Sequence, residues 1–275
     1  MSSEAKPPIW QVDAFANGPF TGNPAAVCIL GSFPIDLWMQ NVAAEMNLSE
    51  TAFVVPAEKA DSFHLRWFTP ATEVDLCGHA TLAAAHVLYE QCHVETDRVI
   101  RFQSRSGELP CRNINGQIRL NFPATPATDD VNPNISRQLL DTLGIDTAEV
   151  LQTRFDLVVV CKDESVVESL HPDFGLLGQI DTRGVIVTSR SLREGTDFIS
   201  RFFAPRCGIN EDPVTGSAHC CLAPLWKNRL GKTSLVGHQA SRRSGTVHCE
   251  VIEDRVRLSG TAVTVMEGNL CVPVS

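Results

Sequence analysis

Apolar positions along this chain follow two periods, and the elements can be read from them. Short apolar runs bounded by Gly, Pro or Asn predict strands at Ile9–Phe15, Ala52–Val55, Phe63–Phe68, Val99–Ser104 and Gly107–Phe122. Gly18-Pro19 and Gly22-Asn23-Pro24 punctuate the first loop, ahead of the apolar run Ala25–Leu30. Leu37, Trp38, Val42, Ala43 and Met46 recur at helical spacing after Pro34. Asn115-Gly116 predicts a tight hairpin turn. The stretch Gly78–Gln91 is apolar nearly all round, the mark of a buried helix.

The pattern then repeats. Arg66-Trp67-Phe68-Thr69-Pro70 and Arg201-Phe202-Phe203-Ala204-Pro205 each precede a loop, a Gly and a small-residue apolar run. Gly78 maps to Gly216, Arg105–Gly107 to Arg243–Gly245, Cys111 to Cys249 and Arg119-Leu120 to Arg257-Leu258, each pair 138 residues apart. The reading is two copies of one α/β unit, each a helix wrapped by strands, with a cleft between the halves as the natural place for a site. Residues 1–123 form the first half, completed by a C-terminal strand near 262–275, and residues 124–261 the second. The second half is expected to hold a helix near Ile135–Leu143, strands at Leu157–Cys161, Gly184–Thr188 and Phe198–Phe203, then the Gly216 helix. A hairpin around Glu253-Asp254 closes it. Pro123, Pro126 and Pro133, with Asp129-Asp130 among them, mark the expected linker. Pro224 lies inside the second small-residue helix and predicts a kink or an early end there.

Composition excludes several classes. The formal charge of −9 opposes nucleic acid, whose phosphates need a basic surface. No apolar run approaches the length of a membrane span, and the first ten residues carry no apolar leader, so the cytoplasm is expected. The 10 Cys are then expected as reduced thiols, with Cys220-Cys221 buried as small hydrophobes, and the sequons at Asn47 and Asn134 unused.

Both Gly-containing loops enter helices whose first N–H groups suit a carboxylate or phosphate. Asp75, Cys77 and His79 surround the first, and Glu211, Asp212, Thr215 and Ser217 the second. Taken singly, each has a plain structural alternative: Thr215 and Ser217 as caps, Asp75 and Asp212 as loop acids, His79 as a hydrogen-bonding partner, Glu50 flanking an edge strand. Their convergence on two helix mouths is what favours chemistry. Gly231-Lys232-Thr233 fails as a P-loop because Trp226 stands where its first Gly belongs. There is no dinucleotide fingerprint or nucleophile elbow. His79 and His86 find no third ligand at zinc-like spacing, so no metal and no cofactor are expected.

The motifs Gly22–Val27, Glu45–Phe53, Leu76–Thr81 and Glu211–His219 together resemble the PhzF-type phenazine biosynthesis-like family, in order and over nearly the whole chain. That resemblance implies an α+β, diaminopimelate-epimerase-like fold of two pseudo-symmetric halves, each a curled mixed sheet around a central helix. It implies an isomerase in which Glu50 is the acid–base carboxylate, with His79, Asp212 and Ser217 completing the catalytic set. Asn23, Cys77, Gly78, Ala80, Thr215 and Gly216 would line the substrate, a small carboxylate-bearing molecule, and the protein would be a homodimer. One carboxyl group in a closed apolar pocket can act first as base and then as acid. The epimerase branch instead opposes two cysteines; here Cys77 has Thr215 as its counterpart, so a two-thiol racemase is not expected. The alternative is a non-catalytic binding or regulatory protein that keeps the fold.

Overall fold

The computed structural model describes residues 6–274. Contacts divide the chain into two units, one running to Asn121 and resuming at Ser259, the other Phe122–Leu258.

Unit 1 carries β1 (Pro8–Ala14), β2 (Asn23–Ile29), β3 (Glu50–Pro56), β4 (Ser62–Phe68), β5 (Glu73–Val74), β6 (Val99–Ser104), β7 (Gly107–Ile114) and β8 (Gln117–Pro123). Its sheet runs β16-β1-β2-β3-β4-β6-β7-β8, where β16 (Ala262–Asn269) pairs antiparallel with β1. Between β1 and β8 the pairings are antiparallel, parallel, antiparallel, parallel, antiparallel and antiparallel. Helix α1 (Asp36–Met46) starts two residues after Pro34 and packs on β3 and β4. Helix α2 (Gly78–Glu90) packs on β1, β2 and β3, and every residue from His79 to Tyr89 except His86 is buried. Trp38, Phe53 and Phe68 form an edge-on aromatic stack in the core under α1.

Unit 2 repeats the plan. It carries α3 (Pro133–Leu143), β9 (Glu149–Gln152), β10 (Asp156–Val160), α4 (Glu164–Ser169), α5 (Phe174–Leu177), β11 (Gly184–Arg190), β12 (Phe198–Phe203) and α6 (Gly216–Leu230). β13 (Ser234–Gln239), β14 (Gly245–Ile252) and β15 (Arg255–Gly260) complete its sheet, ordered β9-β10-β11-β12-β13-β14-β15. From β9 to β14 the pairings are antiparallel, parallel, antiparallel, parallel and antiparallel, as from β1 to β7. Asn132 caps α3 through the Asn134 N–H, with Pro133 in the first turn and Gly144 ending it left-handed.

The boundary between the units falls just ahead of the Pro-rich segment, which lies on unit 2: Ala124 N–H donates to Asp254 O at 2.8 Å and Thr128 bridges to Gln152. Of the two outcomes expected at Pro224, the early end does not occur; α6 continues to Leu230. A proline there has no N–H for the Cys220 carbonyl four residues earlier. Thr125 N–H donates to that carbonyl at 3.1 Å, so the orphan is satisfied from outside the helix.

Candidate active site

In unit 1 the site is assembled at the C-terminal end of one loop and the start of one helix. Gly22 holds φ +71°, and a Cβ there would lie 2.3 Å from the Ala14 carbonyl oxygen. Only glycine fits, and it delivers Asn23 to the start of β2. The parallel pairing of β2 with β3 sets Ala25 opposite Glu50, which brings the Glu50 side chain toward the start of α2. There His79 Nε2 lies 3.2 Å from Glu50 Oε2. Both atoms are buried, and neither has another hydrogen-bond partner among the described residues.

The other face of the ring is held. Asn23 Nδ2 stands 3.2 Å from His79 Nδ1, and Ser49 Oγ donates to Asn23 Oδ1 at 3.2 Å. With Oδ1 turned to Ser49, the Asn23 amide presents its donor to the ring.

Charge around the ring is unequal. Burial disfavours the His79 imidazolium, but Cys77 and Glu50 beside it outweigh burial and hold it well above an ordinary imidazole. Cys77 Sγ lies 3.6 Å from Nδ1. Its thiol is itself pushed up to about 11, first by burial and then by Glu50, so it is uncharged at neutral pH. Glu50, Cys77 and His79 present a carboxylate oxygen, a sulfur and an imidazole nitrogen within 4.8 Å of one another. Such donors suit a cation chemically, although the Cys77 proton would have to be expelled first. Sequence spacing could not find this triad, because strand pairing and not helix periodicity joins residues 50 and 79. His86 lies apart from it, with Nε2 3.1 Å from Thr264 Oγ1 and 3.3 Å from Glu90 Oε2.

In unit 2, Asp212 is buried, and Thr215 Oγ1 donates to its Oδ2 at 2.5 Å. Gln239, fully buried on β13, accepts from Thr215 N–H at 2.8 Å and donates to the Asp212 carbonyl at 2.8 Å. Sequence reasoning missed Gln239; a polar residue closing an alternating strand was its one signal. Ser217 is exposed at the second position of α6 and accepts from Arg183 Nη2 at 3.2 Å. Neither Thr215 nor Ser217 caps the helix, and Cys77 does not cap α2. Both helix starts, Gly78 and Gly216, thus keep first-turn N–H groups without a side-chain cap.

Two expected members stand elsewhere. Asp75 is exposed, 3.7 Å from Arg105, and takes no part in the Glu50–His79 group. Glu211 is forked by Arg201 at 2.7 and 3.0 Å, as Glu73 is forked by Arg66 at 2.7 Å on both oxygens. These matched pairs tie each loop back to the strand before it. Ala80 is fully buried.

A family model described as Phenazine biosynthesis-like protein (PhzC-PhzF) matches residues 12–268. An uncharacterized isomerase of Halalkalibacterium halodurans is 51% identical over 264 residues, covering 96% of this chain and 98% of that one. Phenazine biosynthesis-like domain-containing protein 1 of Mus musculus is 41% identical over 286 residues, covering 96% and 99%. Among solved structures, a phenazine biosynthesis protein of the PhzF family from Enterococcus faecalis gives a TM-score of 0.89 at 42% identity, covering 98% and 100%.

Proposed function

This chain belongs to the phenazine biosynthesis-like (PhzC-PhzF) family, with its α+β, epimerase-like fold, and on that premise we propose that it is an isomerase in which Glu50 moves a proton on a small carboxylate-bearing substrate. The observation that carries this reading is the Glu50–His79 pair, whose facing buried atoms lie 3.2 Å apart with no other hydrogen-bond partner among the described residues.

The Glu50 carboxylate takes a proton from an acidic carbon of the substrate, and the electron pair left behind spreads into the conjugated carboxylate. Glu50, now a carboxylic acid whose 14% exposed side chain exchanges its proton with water, protonates a different carbon, so atoms and charge balance without a second reactant. His79 stabilises the developing negative charge as a hydrogen-bond donor through Nε2, and Asn23 with Ser49 keeps the ring facing Glu50. Cys77 is a neutral thiol packed against the ring and no second base. The family resemblance supports Ser217 and the first turn of α6 as holders of the substrate carboxylate, with Asp212 and Thr215 bracing that turn.

The test is isomer formation from amino, hydroxy and cyclic diene acids, followed by chromatography with wild type beside Glu50→Gln. Wild type is expected to convert at least one acid and Glu50→Gln to lose at least about 10³-fold, since proton transfer is the only chemical step. A Glu50→Gln protein that keeps wild-type turnover contradicts the assignment, and no conversion of any acid favours a binding protein that kept the fold.

A further inference from the structure

The position that carries the carboxylate in unit 1 is filled differently in unit 2. The β10–β11 register sets Asp156 opposite Gly184, as β2–β3 sets Ala25 opposite Glu50. The β11–β12 register sets Val185 opposite Phe203, as β3–β4 sets Thr51 opposite Phe68. Gly184 therefore stands in the place of Glu50, and Arg183 in the place of Ser49. His79 has Ser217 as its counterpart on the helix, 138 residues on. Where unit 1 sets an acid against an imidazole, unit 2 sets a guanidinium against a hydroxyl.

Arg183 is held in a built environment. Its Nε and Nη2 donate to the two carboxylate oxygens of Asp156 at 2.8 and 2.5 Å, and Asp156 is 4% exposed. The rings of Phe155 and Phe202 lie 5.0 and 5.9 Å from the guanidinium carbon. A Cβ on residue 184 would come 2.4 Å from Phe202 Cζ and 3.2 Å from Asp156 Oδ1. A glycine there is what allows ring and carboxylate to stand on either side of the arginine.

The consequence lies at Ser217. A guanidinium only donates, so the Ser217 oxygen must accept the bond from Arg183 Nη2, and the hydroxyl hydrogen is left to point at another acceptor. The Arg183 side chain is 38% exposed, and none of its bonds to described residues uses Nη1. We propose that Arg183, braced by Asp156, is a positioning residue that fixes Ser217 as a hydrogen-bond donor and gives the start of α6 its preference for a carboxylate over a neutral group. This rests on the reading above that assigns the substrate carboxylate to Ser217, and it adds the residue that enforces the choice.

The test uses ¹⁵N-labelled full-length protein titrated with sodium benzoate and, separately, with benzamide, following the amides of Gly216, Ser217 and Ala218. In wild type benzoate is expected to shift these signals and benzamide is not. Arg183→Gln should weaken benzoate about tenfold, the loss expected for a charge-assisted bond, and Arg183→Lys by a smaller factor. Should Arg183→Gln fail to fold, Arg183→Lys carries the comparison alone. Equal benzoate affinity in wild type and either variant overturns the proposal, as does a wild type that treats benzoate and benzamide alike. Because the titration needs no turnover, its failure is distinguishable from a failure of the proton-transfer reading, which shows itself in Glu50→Gln.

Discussion

At the scale of single residues, two histidines at the helix starts are driven in opposite directions. His219 is fully buried, its Nδ1 donates to the Thr215 carbonyl at 2.8 Å, and burial lowers its pKa to about 4. A group whose folded pKa lies below its unfolded value near 6.5 contributes stability above that value and loses it as pH falls toward 4. The full loss is on the order of 3 kcal/mol. Urea unfolding of wild type between pH 7 and pH 4 should show this fall, and His219→Gln should flatten it; an unchanged slope in the variant would contradict the assignment. His79 has the opposite sign. Its raised pKa stabilises the fold fully below the ordinary imidazole value, and that contribution fades as pH rises through its folded value. His79→Asn should therefore narrow the gap to wild type as pH is raised from 6 to 9, read by the same unfolding measurement. Glu50, His79 and Asn23 stood out in the sequence only through the motifs that carry them, and that the three meet was not legible. Ser49 and Gln239 show in the sequence as ordinary polar positions, because what sets their contacts is the partner that the fold supplies.

At the scale of elements, the long apolar runs were readable and the short polar ones were not. Asn115-Gly116 makes the hairpin its residues predict, with φ of 54° and 83°. β5, β9 and β13 went unread because each has exposed or half-exposed residues and polar members, so their strand form comes from pairing and not from pattern. The same lesson governs α6. Pro224 would end an isolated helix, yet Thr125 supplies the missing donor from a segment ninety-five residues before Cys220. Thr125→Pro should cost about 1–3 kcal/mol by leaving the Cys220 carbonyl unpaired. In a Pro224→Ala background, where residue 224 regains its N–H, that cost should shrink, and a double-mutant cycle from urea unfolding reads the coupling. Additive effects would contradict this account of the proline. Gly22 offers a sharper case: Gly22→Ala, facing the Ala14 carbonyl oxygen at 2.3 Å, should destabilise by about 3 kcal/mol or more.

At the scale of the whole molecule, the chain returns to its beginning. β16 supplies β1 with its outer neighbour, from Pro8 opposite Asn269 to Ala14 opposite Ala262, and Trp38 Nε1 donates to the Pro273 carbonyl at 2.7 Å. Removing residues 262–275 should strip hydrogen-exchange protection from β1 first while β10 and β11 keep theirs; uniform loss would contradict that order. The two units share a pairing scheme but place different chemistry in it, a carboxylate at residue 50 and a glycine at residue 184. No helix among the described residues is long and apolar enough to cross a membrane. The account as a whole depends on Glu50 exchanging a carbon-bound hydrogen. Incubating the acids that wild type converts in heavy water, and reading their mass, tests this directly: wild type should incorporate one deuterium and Glu50→Gln none, whereas deuterium uptake that survives Glu50→Gln would show that another group moves the proton.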